Sequence, residues 1–265
     1  MVCAGNALDF GHLRIWAVLQ RIALCYGIVS VLAITINHRY FIHTIIGLLV
    51  IYMGIIAFGN GYAYDSSVNI ISQVDLHLFG YDHLYHKSPV DPEGLLSTLP
   101  AIAHTMIGFL CCKYISIAGQ SVHSKIKFLK IAGLVMLTLG FFLSLIGFGI
   151  NKRIWSPSYV FVTCGFASWI LGILLQFIDN KPSSKDNILT KGLLAFGMNP
   201  LFLYVMSEAL AILFGSFDIK AEIFIGIQSV ISDEYVASLT YALFFVAIHA
   251  VMGIWMYHRK IFIKL

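Results

Sequence analysis

The stretch Asp91-Pro-Glu-Gly-Leu-Leu-Ser-Thr-Leu-Pro100 turns a polar segment into an apolar one. Asp91 suits an N-cap, Pro92 the first helical position and Glu93 the positive end of a helix dipole, so these residues predict a helix that begins here. At helical spacing Gly94, Ser97, Ala101, His104, Gly108 and Cys111 then share one stripe, while the other faces carry mostly Leu, Ile, Met and Phe. On a membrane helix such a stripe faces protein, either as a plain packing seam of small residues or as the wall of a site. Pro100 withholds a donor from the carbonyl of Leu96, which predicts a bend in the first turns.

Outward from this stretch the chain is strongly apolar. It is 59% hydrophobic and 11% charged, whereas a soluble domain has roughly 25% charged residues. Its apolar runs predict an all-α, polytopic membrane helix bundle of about seven transmembrane helices, read as a single membrane domain over residues 1–265. The expected spans are His12–Ile36, Tyr40–Gly59, Leu95–Ile117, Phe128–Ile150, Ser158–Ile178, Lys191–Phe214 and Val236–Tyr257. The polar segment before Leu95 holds Asp65, Asp75, Asp82, Asp91 and Glu93 against Lys87. Within it, Ile70, Ile71, Val74 and Leu78 suit a short helix lying on the membrane surface. The net charge of +4 is scattered over loops and argues against nucleic acid as a partner. The five cysteines lack metal-ligand spacing, so no metal is expected.

The cationic loops at Arg39, Lys113–Lys130 and Lys181–Lys191, with the tail Arg259–Lys264, fall on one side of this topology. The positive-inside rule makes that side, and the C-terminus, cytoplasmic; Lys152 and Arg153 run against it. Arg21 lies well inside an apolar span and shares a helix face with Arg14, so both should turn toward a protein interior. Glu208, at similar depth, is its expected partner, in a structural ion pair or in a site. His104 and His249 sit nearer mid-membrane, as hydrogen-bonded packing residues or as acid–base groups. Asn199 precedes Pro200, which frees the carbonyl of Phe196; the amide either repairs that bonding or donates to a carbonyl or pyrophosphate.

Four strings carry a resemblance: LRIWAVLQRIALCY from Leu13 to Tyr26, DPEGLLSTLPAI from Asp91, FGMNPLFLYVMSE from Phe196 to Glu208, and the ending YHRKIFIKL. In this order they resemble the heparan-α-glucosaminide N-acetyltransferase family and its bacterial relatives. The resemblance implies a multi-pass protein of a bacterial inner (plasma) membrane that moves an acetyl group from cytoplasmic acetyl-CoA to an amino sugar or glycan on the far side. It makes His104, Glu208 and Asn199 candidate catalytic residues and Arg21, Asp91, Glu93 and Ser97 candidates for binding the substrate. Asn199, Lys125 and Lys127 become candidates for binding acetyl-CoA. Family members carry further helices, with the histidine regarded as catalytic, ahead of the segment matching Leu13 to Tyr26. The chain is therefore expected to be a C-terminal portion, partnered by the lipid bilayer and by those helices as a separate chain or through a homo-oligomer. An amino-sugar transporter is the competing class, since buried charge beside an acidic mouth could equally pass a sugar; a non-catalytic membrane partner is a third.

Overall fold

A computed structural model describes residues 14–85, 88–179 and 188–263. His12, Lys181 and Lys264, which figured in the expected spans and cationic loops, lie outside them. Among the described residues the regular structure is helical throughout. The helices are α1 (Val18–Thr35), α2 (Phe41–Phe58), α3 (Ile70–Phe79), α4 (Thr98–Ile115), α5 (Val122–Leu145), α6 (Pro157–Leu174), α7 (Ile188–Met198), α8 (Pro200–Ser216), α9 (Ile219–Gln228) and α10 (Glu234–His258). Among the described residues, six helices are long and apolar enough to cross a membrane, and a bent pair makes up to seven. That pair corrects the expected straight span Lys191–Phe214: α7 and α8 meet at 81°. Pro200 has no N–H to continue the ladder, and Asn199 leaves helical geometry at φ −134° and ψ 47°.

The described chain divides into two units, one reaching to Phe177 and one starting at Ile178. In the first, α1, α2, α4 and α6 enclose a core of Val29, Phe41, Leu49, Ala103, Met106 and Val160. Their outward faces remain apolar, with Ile22, Tyr26, Ile46 and Val50 exposed, as membrane helices require. One end of this unit gathers the starts of α1, α4 and α6, all of α3, and Asp65, Asp75, Asp82, Asp91 and Glu93, with Lys152 and Arg153 among them. Arg39, Lys113, Lys125 and Lys127 mark the opposite end, where Lys113 contacts His38.

Helices α5 and α6 pack antiparallel along most of their length. Gly133 and Gly165 permit it: a Cβ on Gly165 would lie 2.8 Å from the backbone nitrogen of Leu137 and 2.9 Å from the carbonyl of Gly133. Gly140 meets Val162 and Ser158 in the same way. In the second unit, α10 packs against α7 and α9, and Asp233 caps α10 by accepting from the N–H groups of Tyr235 and Val236.

Because backbone, not a flexible side chain, stands in the way, Gly165→Val should destabilise the first unit by about 1–3 kcal/mol. Gly108→Ala, with nothing within 4 Å of its added carbon, should be neutral. Thermal unfolding of both variants in mild detergent checks the contrast.

Candidate functional site

Helix α4 begins at Thr98, not at Asp91. Residues 91–97 instead form a chain of tight turns: Gly94 N–H donates to the carbonyl of Asp91, Thr98 to Leu95 and Leu99 to Leu96. Asp91 is not an N-cap but folds its own turn, Oδ1 accepting from the N–H of Glu93 at 3.0 Å. Pro100 therefore sits in the first helical turn, where N–H groups lack helical partners anyway, and the predicted bend has no cause. The Leu96 carbonyl it was to orphan accepts from Leu99.

Two arginines reach this turn from the α1 side: Arg21 from the helix, and Arg14 from the non-helical residues before Val18, where one continuous helix had been expected. Arg14 donates to Asp91 Oδ1 and Glu93 Oε2, both at 2.6 Å, and lies over the Tyr85 ring. Burial opposes its charge, but the bonds and charges of the two carboxylates outweigh that and raise its pKa. Arg21 is 5% exposed; it donates to the carbonyls of Pro92 at 2.6 Å and Ser97 at 2.5 Å. The expected reliance on Glu208 is thus unnecessary, because both terminal nitrogens of Arg21 are engaged within the first unit. Glu208 is exposed on α8 in the second.

Beneath Arg21 lies Trp155, its ring centroid 4.3 Å from the guanidinium carbon. The His104 ring is 5.9 Å from the same indole, and Tyr159 is 5.3 Å away on another edge. Trp155 adopts φ 51°, the left-handed region that a bulky residue takes only when its surroundings compel it. They do: Ser156 Oγ accepts from the N–H groups of Asn151 and Tyr159, the Ser156 N–H returns to the carbonyl of Asn151, and the Tyr52 hydroxyl donates to the carbonyl of Ile154. Three buried nitrogens of this cluster have no partner: Arg21 Nε, His104 Nδ1 and Nε1 of the indole itself.

Two cavities flank the cluster. On the acidic end a cavity of about 350 Å³ is lined by Ser72, Asp75, Tyr81, Tyr85, Ser88 and Asp91. On the other side an apolar groove of about 300 Å³ runs between α4 and α6 from His104 past Gly108, Cys111 and Cys164 toward Ser116. The lower part of the small-residue stripe, from His104 to Cys111, is the wall of this groove; its upper part, Gly94, Ser97 and Ala101, is buried. Ser97 itself donates its hydroxyl to Gly94 and offers its carbonyl to Arg21.

Sequence reasoning placed α3 on the membrane surface through Ile70, Ile71, Val74 and Leu78. The helix instead turns Ile71, Ser72 and Asp75 inward and leaves Leu78 exposed. Asp75 is fully buried; its Oδ1 accepts from the Leu95 N–H at 2.9 Å and its Oδ2 has no partner. Burial pushes its carboxyl up to about 6; the Leu95 N–H and Arg21 pull it down while Asp91 adds to the rise.

In the second unit, Asn199 is 1% exposed and clasps the C-terminal tail: its Nδ2 donates to the carbonyl of Ile261 at 2.9 Å and its Oδ1 accepts from Ile263 at 2.8 Å. His249 Nδ1 donates to the carbonyl of Phe245, leaving Nε2 unpartnered. Lys127 is exposed at the cationic end and lines a cavity of about 390 Å³ with Tyr114 and Ser124; Lys125 is half-buried nearby. Among the described residues no group of three His, Cys, Asp or Glu side chains could hold a metal.

No family model matches the chain. It is 32% identical over 152 residues to the human heparan-α-glucosaminide N-acetyltransferase, an alignment covering 51% of this chain and 22% of that protein. The chain is distantly similar to an N-acetyltransferase and spans about a fifth of its length.

Two outcomes follow from the acidic end. Arg14→Ala leaves the buried Asp91 carboxylate uncompensated and should cost about 3 kcal/mol, part of it recovered by adding Asp91→Asn, as denaturation of the three variants will measure. The folded chain holds the Asp75 proton up to about pH 6 while the unfolded chain releases it near 3.8, so the native state binds more protons between these values. Stability accordingly falls as pH rises through that window and is level above it. Asp75→Asn should raise the unfolding midpoint above the window and leave it unchanged below.

Proposed function

We propose that the chain forms the acyl-donor side of a membrane N-acetyltransferase, passing an acetyl group from acetyl-CoA to an amino sugar or glycan across the bilayer. One observation carries this reading: the buried nitrogens without acceptors around Trp155. Arg21 Nε–H and Trp155 Nε1–H can only donate, and His104 Nδ1 stands beside them. Donors held ready in a site shut off from water suit a carbonyl oxygen that becomes negative during acyl transfer. On this reading the thioester carbonyl lies at His104, the pantetheine arm follows the α4–α6 groove, and the phosphates meet Lys113, Lys125 and Lys127. The sugar ring takes the cavity of Tyr81, Tyr85, Ser88 and Asp75, where hydroxyls and aromatic faces are combined. The amine nitrogen bonds to the acyl carbon as the carbon–sulfur bond breaks. Its proton goes to a base, and the sulfur leaves as thiolate. The cationic end and the C-terminus then face the cytoplasm of a bacterial inner membrane.

The bend between α7 and α8 favours a second reading, because helices broken at membrane depth line the sites of many transporters. The test is a proteoliposome holding the chain with and without the family's N-terminal helices, given labelled acetyl-CoA on one side and glucosamine on the other. Acetylated glucosamine should appear with both polypeptides, and His104→Gln should lower the rate by about 10² or more at unchanged folded yield. Glucosamine flux without acetylated product would establish the transporter reading instead.

A further inference from the structure

We infer that Asp75 is a positioning residue that sets the Arg21 side chain against Trp155, acting through the turns of residues 91–97. The inference rests on the reading above, in which Arg21, His104 and Trp155 form the reaction centre, and it adds control of that centre from a helix outside the membrane spans. Asp75 Oδ1 holds the Leu95 N–H. Next to Leu95 is Gly94, whose carbonyl accepts from the hydroxyls of Ser97 and Thr98. The same turns present the carbonyls of Pro92 and Ser97, which fix both terminal nitrogens of Arg21.

The fit at Gly94 makes Asp75 more than a local hydrogen bond. A Cβ on Gly94 would lie 2.1 Å from Asp75 Oδ2, so the carboxylate occupies the place of a side chain there. Oδ2 is also the oxygen without a partner. An ionised carboxylate accepts more strongly from Leu95 and attracts Arg21 through the intervening turn. A proton on Oδ2 weakens both effects at a point where the carboxyl packs against the Gly94 backbone. The turn then shifts, and the carbonyls that hold Arg21 over the indole shift with it. The charged and titratable groups on the packed elements are Asp91 and Glu93 in the turns, Arg14 and Arg21 from the α1 side and Tyr52 from α2. Tyr81 and Tyr85 line the same cavity, and His77 is on Asp75's own helix.

The indole reports on this coupling without any turnover. In a protein whose other tryptophans are removed by Trp16→Phe, Trp169→Phe and Trp255→Phe, Trp155 emission should shift with pH around a midpoint of about 6. Asp75→Asn should abolish the shift, and Gly94→Ala should give the acid-form emission at alkaline pH. His104→Gln should retain the shift. A shift that survives in Asp75→Asn, one that vanishes with His104→Gln, or no shift in the parent protein would overturn the inference. Should Gly94→Ala fail to fold, the comparison of parent and Asp75→Asn decides. Because emission requires no acetyl transfer, a silent indole refutes the coupling alone, while absence of product refutes the proposed reaction alone.

Discussion

An arginine in the apolar length of a membrane helix must find acceptors inside the protein, and the geometry around Arg21 follows from that demand. Helix α4 could start at Asp91 by every local criterion. If it did, the carbonyl of Pro92 would be closed by the N–H of Leu96, four residues on. Delaying the helix to Thr98 keeps that carbonyl free for the guanidinium. A single exposed cap is worth about 1 kcal/mol. A hydrogen bond to a buried charge is worth about 1.5–3, with a larger penalty if it is left unmade. The tertiary requirement therefore overrides the helix-start signal. Arg14 secures the same turn from the outside by engaging Asp91 and Glu93.

Trp155 closes the other face of Arg21 and is itself held under strain. Its left-handed backbone costs roughly 1–2 kcal/mol, about what a desolvated cation–π contact returns. The contact alone would barely justify the conformation. The Ser156 cap, the Asn151 turn and the Tyr52 hydroxyl fix the loop independently, so the indole is presented at a set position and Arg21 comes to it. A rigid aromatic plate beneath a pinned guanidinium leaves Nε little freedom to find another acceptor. That explains why the unpartnered nitrogens collect at this point.

The spans were legible because composition and length dictate them: α2, α6 and α10 fall close to where apolar runs place them. Arg14 and Arg21 were expected on one helix face; α1 begins only at Val18, and Arg14 reaches the same turn from the non-helical residues before it. What sequence could not deliver was any choice made by a distant residue. The start of α4 depended on Arg21, some seventy residues away. The inward face of α3 was set by Leu95 and Gly94, which accept a carboxylate where an apolar face was expected. Trp155 takes its role from contacts with α1 and α4 and from a backbone angle that no local pattern announces. Asn199 was expected inside one span, repairing the Phe196 carbonyl or donating to a ligand; the chain instead breaks there and the Asn199 amide holds the tail. Its partners in the tail, more than sixty residues on, were beyond local reasoning.

In the order of contacts, Arg21 and Trp155 stand between the acidic cavity and the α4–α6 groove, so passage of a group from one to the other depends on how easily that pair yields. Swinging Arg21 aside would break two charge-assisted bonds to carbonyls in a low-dielectric setting, on the order of 3–6 kcal/mol. A shift of the turn that carries those carbonyls breaks neither bond, because acceptors and donor move together. Arg14 engages only side chains of the turn, and its long, partly solvated side chain can follow such a shift. The turn is also held by the Asp75 carboxylate wedged against Gly94, beside the bonds from Tyr85 N–H to Asp91 and from the Ser72 hydroxyl to the Pro89 carbonyl. On the proposed reading, movement of the pair is therefore sensitive to a group on α3, outside the membrane spans and beside the cavity lined by Tyr81, Tyr85 and Ser88.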